Sequence, residues 1–187
     1  CRVAHTATFD DVASYAADML ICMIRDQARR GKKRNEVHIG VAGGHAMRKV
    51  SLALSRLLRQ PQKELPQRIV FHAMVNGFDL REPLTDPNAF FTYFFEDPLL
   101  KVETGFVGFR APPLVTPGQM KQFKKLSQVG ESYEAAAEID IVVTSGGSWA
   151  DEHSLLQYHY AKESPESIEI LKKAGVVGDM LWRPVGP

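Results

Sequence analysis

The sequence predicts an α/β fold, a doubly wound and mainly parallel sheet with helices on both faces, and three observations carry that expectation. The run Val37-His38-Ile39-Gly40-Val41-Ala42 suits a strand covered on both faces. Beyond Gly43-Gly44, Met47, Val50, Leu54, Leu57 and Leu58 fall at helical spacing, so the period switches across two glycines and makes a βα corner. Strand-like and helix-like segments then alternate at intervals of roughly 30 to 40 residues, as parallel sheets with crossover helices require.

In chain order, Thr8 and Asp11 make a capping box ahead of a first helix. Val12, Tyr15, Ala16, Met19, Leu20 and Met23 fit one helical face, expected to pack on the sheet. The helix runs out in Arg29-Arg30-Gly31-Lys32-Lys33-Arg34, where glycine is a stop and cations complement the negative end of the helix dipole. No aromatic residue interleaves these charges, so a solvated helix end is favoured over a phosphate-binding patch. After the βα corner and its helix, Arg59 to Gln67 is a proline-bearing loop, and Ile69 to Val75 is the next strand, ending at Asn76-Gly77. His72 inside that strand reads as a hydrogen-bonded core histidine. A long polar loop with Asp79, Arg81 and Glu82 leads to Asp86-Pro87, an N-cap and first helical position opening Asn88 to Phe95, whose phenylalanines and Tyr93 are core. Glu103 to Phe109 is a third strand, weakened by two glycines and ended at Arg110 to Pro113. Helices are expected from Pro117 to about Leu126 and then to Glu138, followed by a buried strand from Ile139 to Thr144. That strand meets Ser145-Gly146-Gly147-Ser148, a corner of the same kind, beside which Trp149 either lines a pocket or covers the sheet edge. Ser164-Pro165 starts a helix that Gly175 ends, and Val176 to Trp182 is a further strand carrying Asp179.

At 187 residues the chain suits one α/β core, and we expect a single domain over 1–187. The hydrophobic fraction of 44% and charged fraction of 24% are those of an ordinary globular protein. A net charge of +1 removes any general electrostatic argument for nucleic acid or an anionic membrane. Cys1 and Cys22 make neither a disulfide framework nor a metal cluster, which suits a reducing cytoplasm. No apolar run approaches the ~20 residues of a bilayer span, so no membrane partner is expected.

Four corners, at Gly43 to His45, Asn76-Gly77, Ser145 to Ser148 and Gly178-Asp179, should gather at one edge of a parallel sheet if their strands point the same way. They offer glycine amides, two hydroxyls, an amide, an imidazole and a carboxylate, an inventory suited to a polyol with an anionic end. Covalent and metal chemistry find no support. There is no Gly-x-Ser-x-Gly and no motif pairing Cys with His, and His153 and His159 are spaced for different helix faces. The first corner lacks the third glycine of a dinucleotide fingerprint and the Lys-Ser/Thr of a nucleotide loop. We therefore assign no catalytic residue, metal ligand or cofactor.

The segment Ala174-Gly175-Val176-Val177-Gly178-Asp179-Met180-Leu181 resembles the Gly-Ala-Val-Gly-Asp-Ile-Leu segment in the sugar-binding domain of SorC-type bacterial transcription regulators. Ile39 to Met47 resembles that family's first βα corner, and Asp140 to Ser148 its Asp-x-Ala-x-x-Gly-Ile-Gly strand and loop. Order and spacing agree, including Pro112-Pro113, over about residues 8 to 183. The resemblance implies a fold similar to glucosamine-6-phosphate deaminase and ribose-5-phosphate isomerase, and an oligomeric domain that binds a sugar or phosphorylated sugar. It further implies a cradle at Gly43, Gly44 and His45, sugar contacts near Asn76, Gly77 and Asn88, and further contacts at Gly146, Gly147, Ser148 and Asp179. In the family, DNA is read by an attached helix-turn-helix, which is not found before Thr8, and the domain continues beyond the point matching Pro187. The chain is accordingly expected to be incomplete at its C-terminal end. Ala46 stands where the family has Ser or Thr, and loss of one hydroxyl bond to a charged group weakens binding by ~1.5 to 3 kcal/mol. The rival expectations are an isomerase or deaminase using Asp179 or His45 for proton transfer, and a purely oligomerising domain.

Overall fold

The computed structural model describes residues 5–30, 35–76, 83–111, 115–151, 154, 157, 160–161 and 164–186. Two compact units are present, Cys1–Val143 and Thr144–Pro187.

The first unit is built on four parallel strands, β1 (Glu36–Val41), β2 (Arg68–Ala73), β3 (Glu103–Val107) and β4 (Ile141–Val143), in the order β3-β2-β1-β4. The expected parallel α/β sheet is thus observed, and the strand order reverses between β1 and β4. Asp140 fixes the register at that reversal: its N–H donates to the His38 carbonyl, and its carboxylate accepts the His38 N–H, both at 2.9 Å. Between the strands run α2 (His45–Leu58), the short α3 (Pro87–Phe90), α4 (Pro117–Phe123) and α5 (Ser127–Ala135). The Thr116–Gln119 capping box starts α4. Asp86 caps α3 through the Asn88 N–H, with Pro87 in the first turn as expected. That helix stops at Phe90 and a 3₁₀ turn continues to Tyr93. Phe90 and Phe94 are core, whereas Phe95 is exposed. Phe94 stacks on Phe71, centroids 4.2 Å apart.

The leading helix, α1 (Phe9–Arg30), has the expected Thr8–Asp11 box, with Thr8 N–H donating to Asp11 Oδ2 and Asp11 N–H to Thr8 Oγ1. Its packing face differs from the expectation. Ala13, Ala17, Leu20, Ile21 and Ile24 are buried, while Val12, Tyr15, Met19 and Met23 are exposed and Ala16 is half-buried. The reason is steric: the two alanines let α1 approach α2 closely, and small residues add little to a hydrophobic periodicity. Leu20 converges with Met47, Val50 and Leu54 of α2 on Ile39, Val41, Phe71 and Val143 of the sheet. These side chains form the main core.

The second unit holds α6 (Pro165–Lys173) and three short strands, β5 (Gly146–Ser148), β6 (Gly178–Met180) and β7 (Arg183–Val185), antiparallel in the order β5-β6-β7. This corrects two expectations. Ser145 to Ser148 is not a strand-to-helix corner, and Val176 to Trp182 is not a strand of the parallel sheet. A two-residue link, Leu181-Trp182, joins β6 to β7, so the segment pairs locally. Both residues have positive φ, 52° and 63°, as a primed hairpin turn demands, and neither is glycine. Trp149 donates its Nε1–H to the Val176 carbonyl and lies under Lys172, so it covers the approach to β6.

Among the described residues no helix is long and apolar enough to cross a membrane. Lys32, Lys33, Arg34, Gly77, Asp79, Arg81, Glu82, Pro112, Pro113, His153 and His159 lie outside the described residues.

Candidate functional site

The carboxyl ends of β1 and β2 meet at the first corner. Gly43 and Gly44 are both dictated by one carbonyl. A Cβ on Gly43 would lie 2.9 Å from Thr85 O, and Gly44, at φ 104°, donates its N–H to that oxygen at 2.8 Å. These two glycines therefore have a steric role, and the Gly44 amide is already engaged. The amides of Ala46 and Met47 precede the first i→i−4 bond of α2 and have no partner within the helix. Arg48 N–H makes the first intrahelical bond, to Gly44 O, and no side chain caps the turn. No acidic residue stands in that turn, in contrast to Asp10 and Asp11 at the start of α1. The first turn of α2 thus carries no carboxylate of its own at the positive end of the helix dipole. His45 is exposed at the first helical position, followed by half-buried Ala46 and buried Met47.

Val75, two residues after the end of β2, touches this turn, its Cγ2 lying 3.3 Å from a Cβ position on Gly43. Asn76 comes next. Its Nδ2 donates to Ala111 O at 3.3 Å, while its Oδ1 is buried with no partner among the described residues. A buried amide oxygen without a donor costs about 1 to 3 kcal/mol, so it marks a place where a ligand hydroxyl would be welcome. Asn88 is placed differently. Its Oδ1 accepts the Phe109 N–H at 3.1 Å, and its Nδ2 donates to Phe109 O and Asp86 Oδ1 at 2.9 and 2.7 Å. The side chain is a clamp between α3 and the exit of β3, with one acceptor lone pair left over.

In the second unit Gly147 stands opposite Asp179, and Ser148 opposite Gly178. A Cβ on Gly178 would fall 2.0 Å from Gly147 O, so no larger residue fits while the strands pair. The Asp179 carboxylate accepts from Ser154 Oγ, which is buried, at 3.4 Å and from the Trp182 N–H. Burial raises its pKa above the ordinary carboxylate value, against those two hydrogen bonds, and the nearby Asp151 charge adds to the rise. Ser154 belongs to no motif that sequence reasoning could find, and only the fold brings it to Asp179. Gly146 and Ser148 are exposed on β5.

Each unit thus gathers its own share of the expected residues: Gly43, Gly44, His45, Asn76 and Asn88 in the first, Gly146, Gly147, Ser148 and Asp179 in the second. Among the described residues no group of three or more His, Cys, Asp or Glu side chains is placed to hold a metal ion.

The sheet has the doubly wound α/β architecture, with its strand order reversing beside a glycine corner, the place where such sheets form a crevice at their strand ends. Three solved structures share the arrangement. A DeoR family transcriptional regulator from Listeria monocytogenes is 20% identical with TM-score 0.57, over 98% of this chain and 65% of that one. A probable sor operon regulator from Shigella flexneri is 16% identical with TM-score 0.64, over 98% of this chain and 65% of that one. The full-length sorbitol operon regulator SorC from Klebsiella pneumoniae is 16% identical with TM-score 0.65, over 95% of this chain and 51% of that one. The chain therefore has the fold of these regulators and spans about half to two thirds of their length. No protein-family model matches the chain, and no curated protein matches it.

Proposed function

We propose that the chain is the ligand-sensing domain of a SorC-type transcription regulator, non-enzymatic, with a sugar or phosphorylated sugar as effector. The observation that carries this reading is the buried Oδ1 of Asn76, without a partner among the described residues, three residues beyond Ala73 at the end of β2, in the unit whose α2 has no side-chain cap on its first turn. An amide acceptor for a hydroxyl next to amides and a helix dipole for an anion is what a polyol with an anionic end requires. The likeness to sugar-operon regulators supports the same reading and favours sensing over turnover. Within it, the Ala46 and Met47 amides and His45 hold the anionic group, Asn76 takes a hydroxyl, and Asn88 positions the wall around it. Gly43 and Gly44 shape the turn. Gly146, Gly147, Ser148 and Asp179, in the second unit, and Gly77 are proposed as sugar contacts on the family resemblance alone.

A melting scan against a panel of sugars and sugar phosphates tests this. A ligand at about a hundred times its Kd stabilises the fold by ~2.7 kcal/mol. At least one member of the panel should raise Tm, and Asn76→Ala should abolish that rise. A Tm unmoved by the whole panel, or a rise that survives in Asn76→Ala, overturns the assignment.

A further inference from the structure

The face of α1 that its own unit leaves open carries three sulfur side chains. Met19, Cys22 and Met23 fall within an arc of roughly 100°, turned away from the buried arc of Ala13, Ala17, Leu20, Ile21 and Ile24. Met19 and Met23 are 41% and 42% exposed, and Cys22 is free and exposed. Hydrophobic periodicity assigns both methionines to the core, yet the fold turns their thioethers out beside the thiol. Cys22 and Met23 follow Met19 by three and four residues, the helical spacings at which Cβ atoms stand roughly 5 to 6 Å apart. Their Cα–Cβ bonds lean toward the amino end of the helix, over the turn that holds Met19. The unbranched methionine side chain has the rotatable bonds to bring its sulfur to the same point.

We propose that Met19, Cys22 and Met23 form a three-sulfur site for copper(I). The donors decide the ion. A thiolate with two thioethers is a soft set, and such ligands select Cu(I) over the harder divalent ions, which take imidazole or oxygen. Zinc takes thiolate, imidazole and carboxylate but not thioether. Asp18 and Asp26, one turn either side of Cys22, complete no such group with it among the described residues. Copper enters and stays as Cu(I): a Cu–S bond replaces the S–H bond of Cys22, one proton passes to solvent, and each thioether donates a lone pair. None of the residues proposed for the sugar lies on α1, so this site is independent of that reading.

Anaerobic titration of the 187-residue chain with Cu(I) tests the site, in a Cys1→Ser background and against bicinchoninate as a coloured competitor. A single Cu(I) per chain should bind. Among the six methionines, the ε-methyl resonances of Met19 and Met23 should shift on adding one equivalent, and those of Met47, Met74, Met120 and Met180 should not. Met19→Leu combined with Met23→Leu keeps side-chain volume and helix propensity. That pair should weaken binding by about 100-fold or more, since even the outer partners of a metal ligand are worth about 10- to 100-fold. Cys22→Ser should abolish it, with helical circular dichroism unchanged in both variants. Copper held as tightly by the double-leucine variant marks a bare thiol and overturns the proposal. So does copper retained in Cys22→Ser, a shift at the other methionines in place of Met19 and Met23, or a chain that takes no copper from bicinchoninate.

Discussion

The buried histidine pair of the central strands makes the first unit acid-sensitive in a way that can be measured at one residue. His38 Nδ1 and His72 Nε2 lie 2.8 Å apart, and His38 Nε2 lies 3.3 Å from Glu36 Oε1. A carboxylate only accepts, so His38 carries its proton on Nε2, its Nδ1 accepts from His72 Nε2–H, and His72 Nδ1 is left as a bare lone pair. That atom is buried without a partner among the described residues. Protonating it would place a cation in a site only 2% exposed. Burial first and the proximity of His38 second lower the His72 pKa to about 4, against the opposing Asp140 carboxylate. The unfolded chain takes up the proton at about pH 6.5 and the folded chain does not until about pH 4, so stability falls as pH falls through that window. Each pH unit there removes about 1.4 kcal/mol, which makes roughly 2 kcal/mol lost by pH 5. For a domain of this size that corresponds to a Tm drop of about 4 to 8 °C. Other groups titrate too, so the comparison is with His72→Gln, whose amide still donates to His38 but cannot ionise. Urea unfolding at pH 7.0, 6.0 and 5.0 should give the wild type a steeper loss than the variant by about 1 to 2 kcal/mol at pH 5. Parallel pH profiles for the two proteins would refute the argument.

Three further outcomes follow from the geometry. Gly178→Ala drives a methyl into the Gly147 carbonyl and should destabilise the β5–β6 pair by about 2 to 4 kcal/mol, read as lost amide protection in the second unit; protection unchanged would contradict that register. Asn88→Ala frees both Phe109 backbone groups and should lower stability by about 2 to 3 kcal/mol in urea melts, whether or not ligand is present. Asp179→Asn should raise Tm at pH 7, because the folded carboxyl binds its proton more tightly than the unfolded one and stability is lost as pH rises through its raised pKa. The gain should shrink toward the acid side of that pKa, and a variant less stable at every pH would show that the carboxylate charge itself holds the Trp182 turn.

What the sequence made legible follows from how local each signal is. The β1 corner, the caps at Thr8 and Asp86, and the helix starts at Pro117 and Pro165 are stated within four residues of chain, and all are observed. The packing face of α1 was misjudged because a helix apolar on two arcs has no single periodicity to read; Ala13 and Ala17 decide the matter by their smallness, which only the neighbouring α2 reveals. Asp179 was legible as a residue and misplaced as an element, since an apolar run of three to seven residues carries no mark of parallel or antiparallel pairing. The turn at Leu181-Trp182 that settles it uses two residues with positive φ where glycine or asparagine would have announced it.

The glycines of the first corner show why motif and site are different statements. Gly43 and Gly44 are the residues a reader of sequence would assign to a ligand, yet both are required by the approach of Thr85 O, and one amide is consumed by it. The chemistry proposed for a ligand lies elsewhere, in the α2 first turn that no side chain caps and in the Asn76 oxygen that no described donor reaches. It follows that substituting the glycines would abolish the proposed binding by unmaking the corner and would say nothing about contact. Asn76→Ala leaves the corner intact, so it is the substitution that separates a recognition role from a structural one.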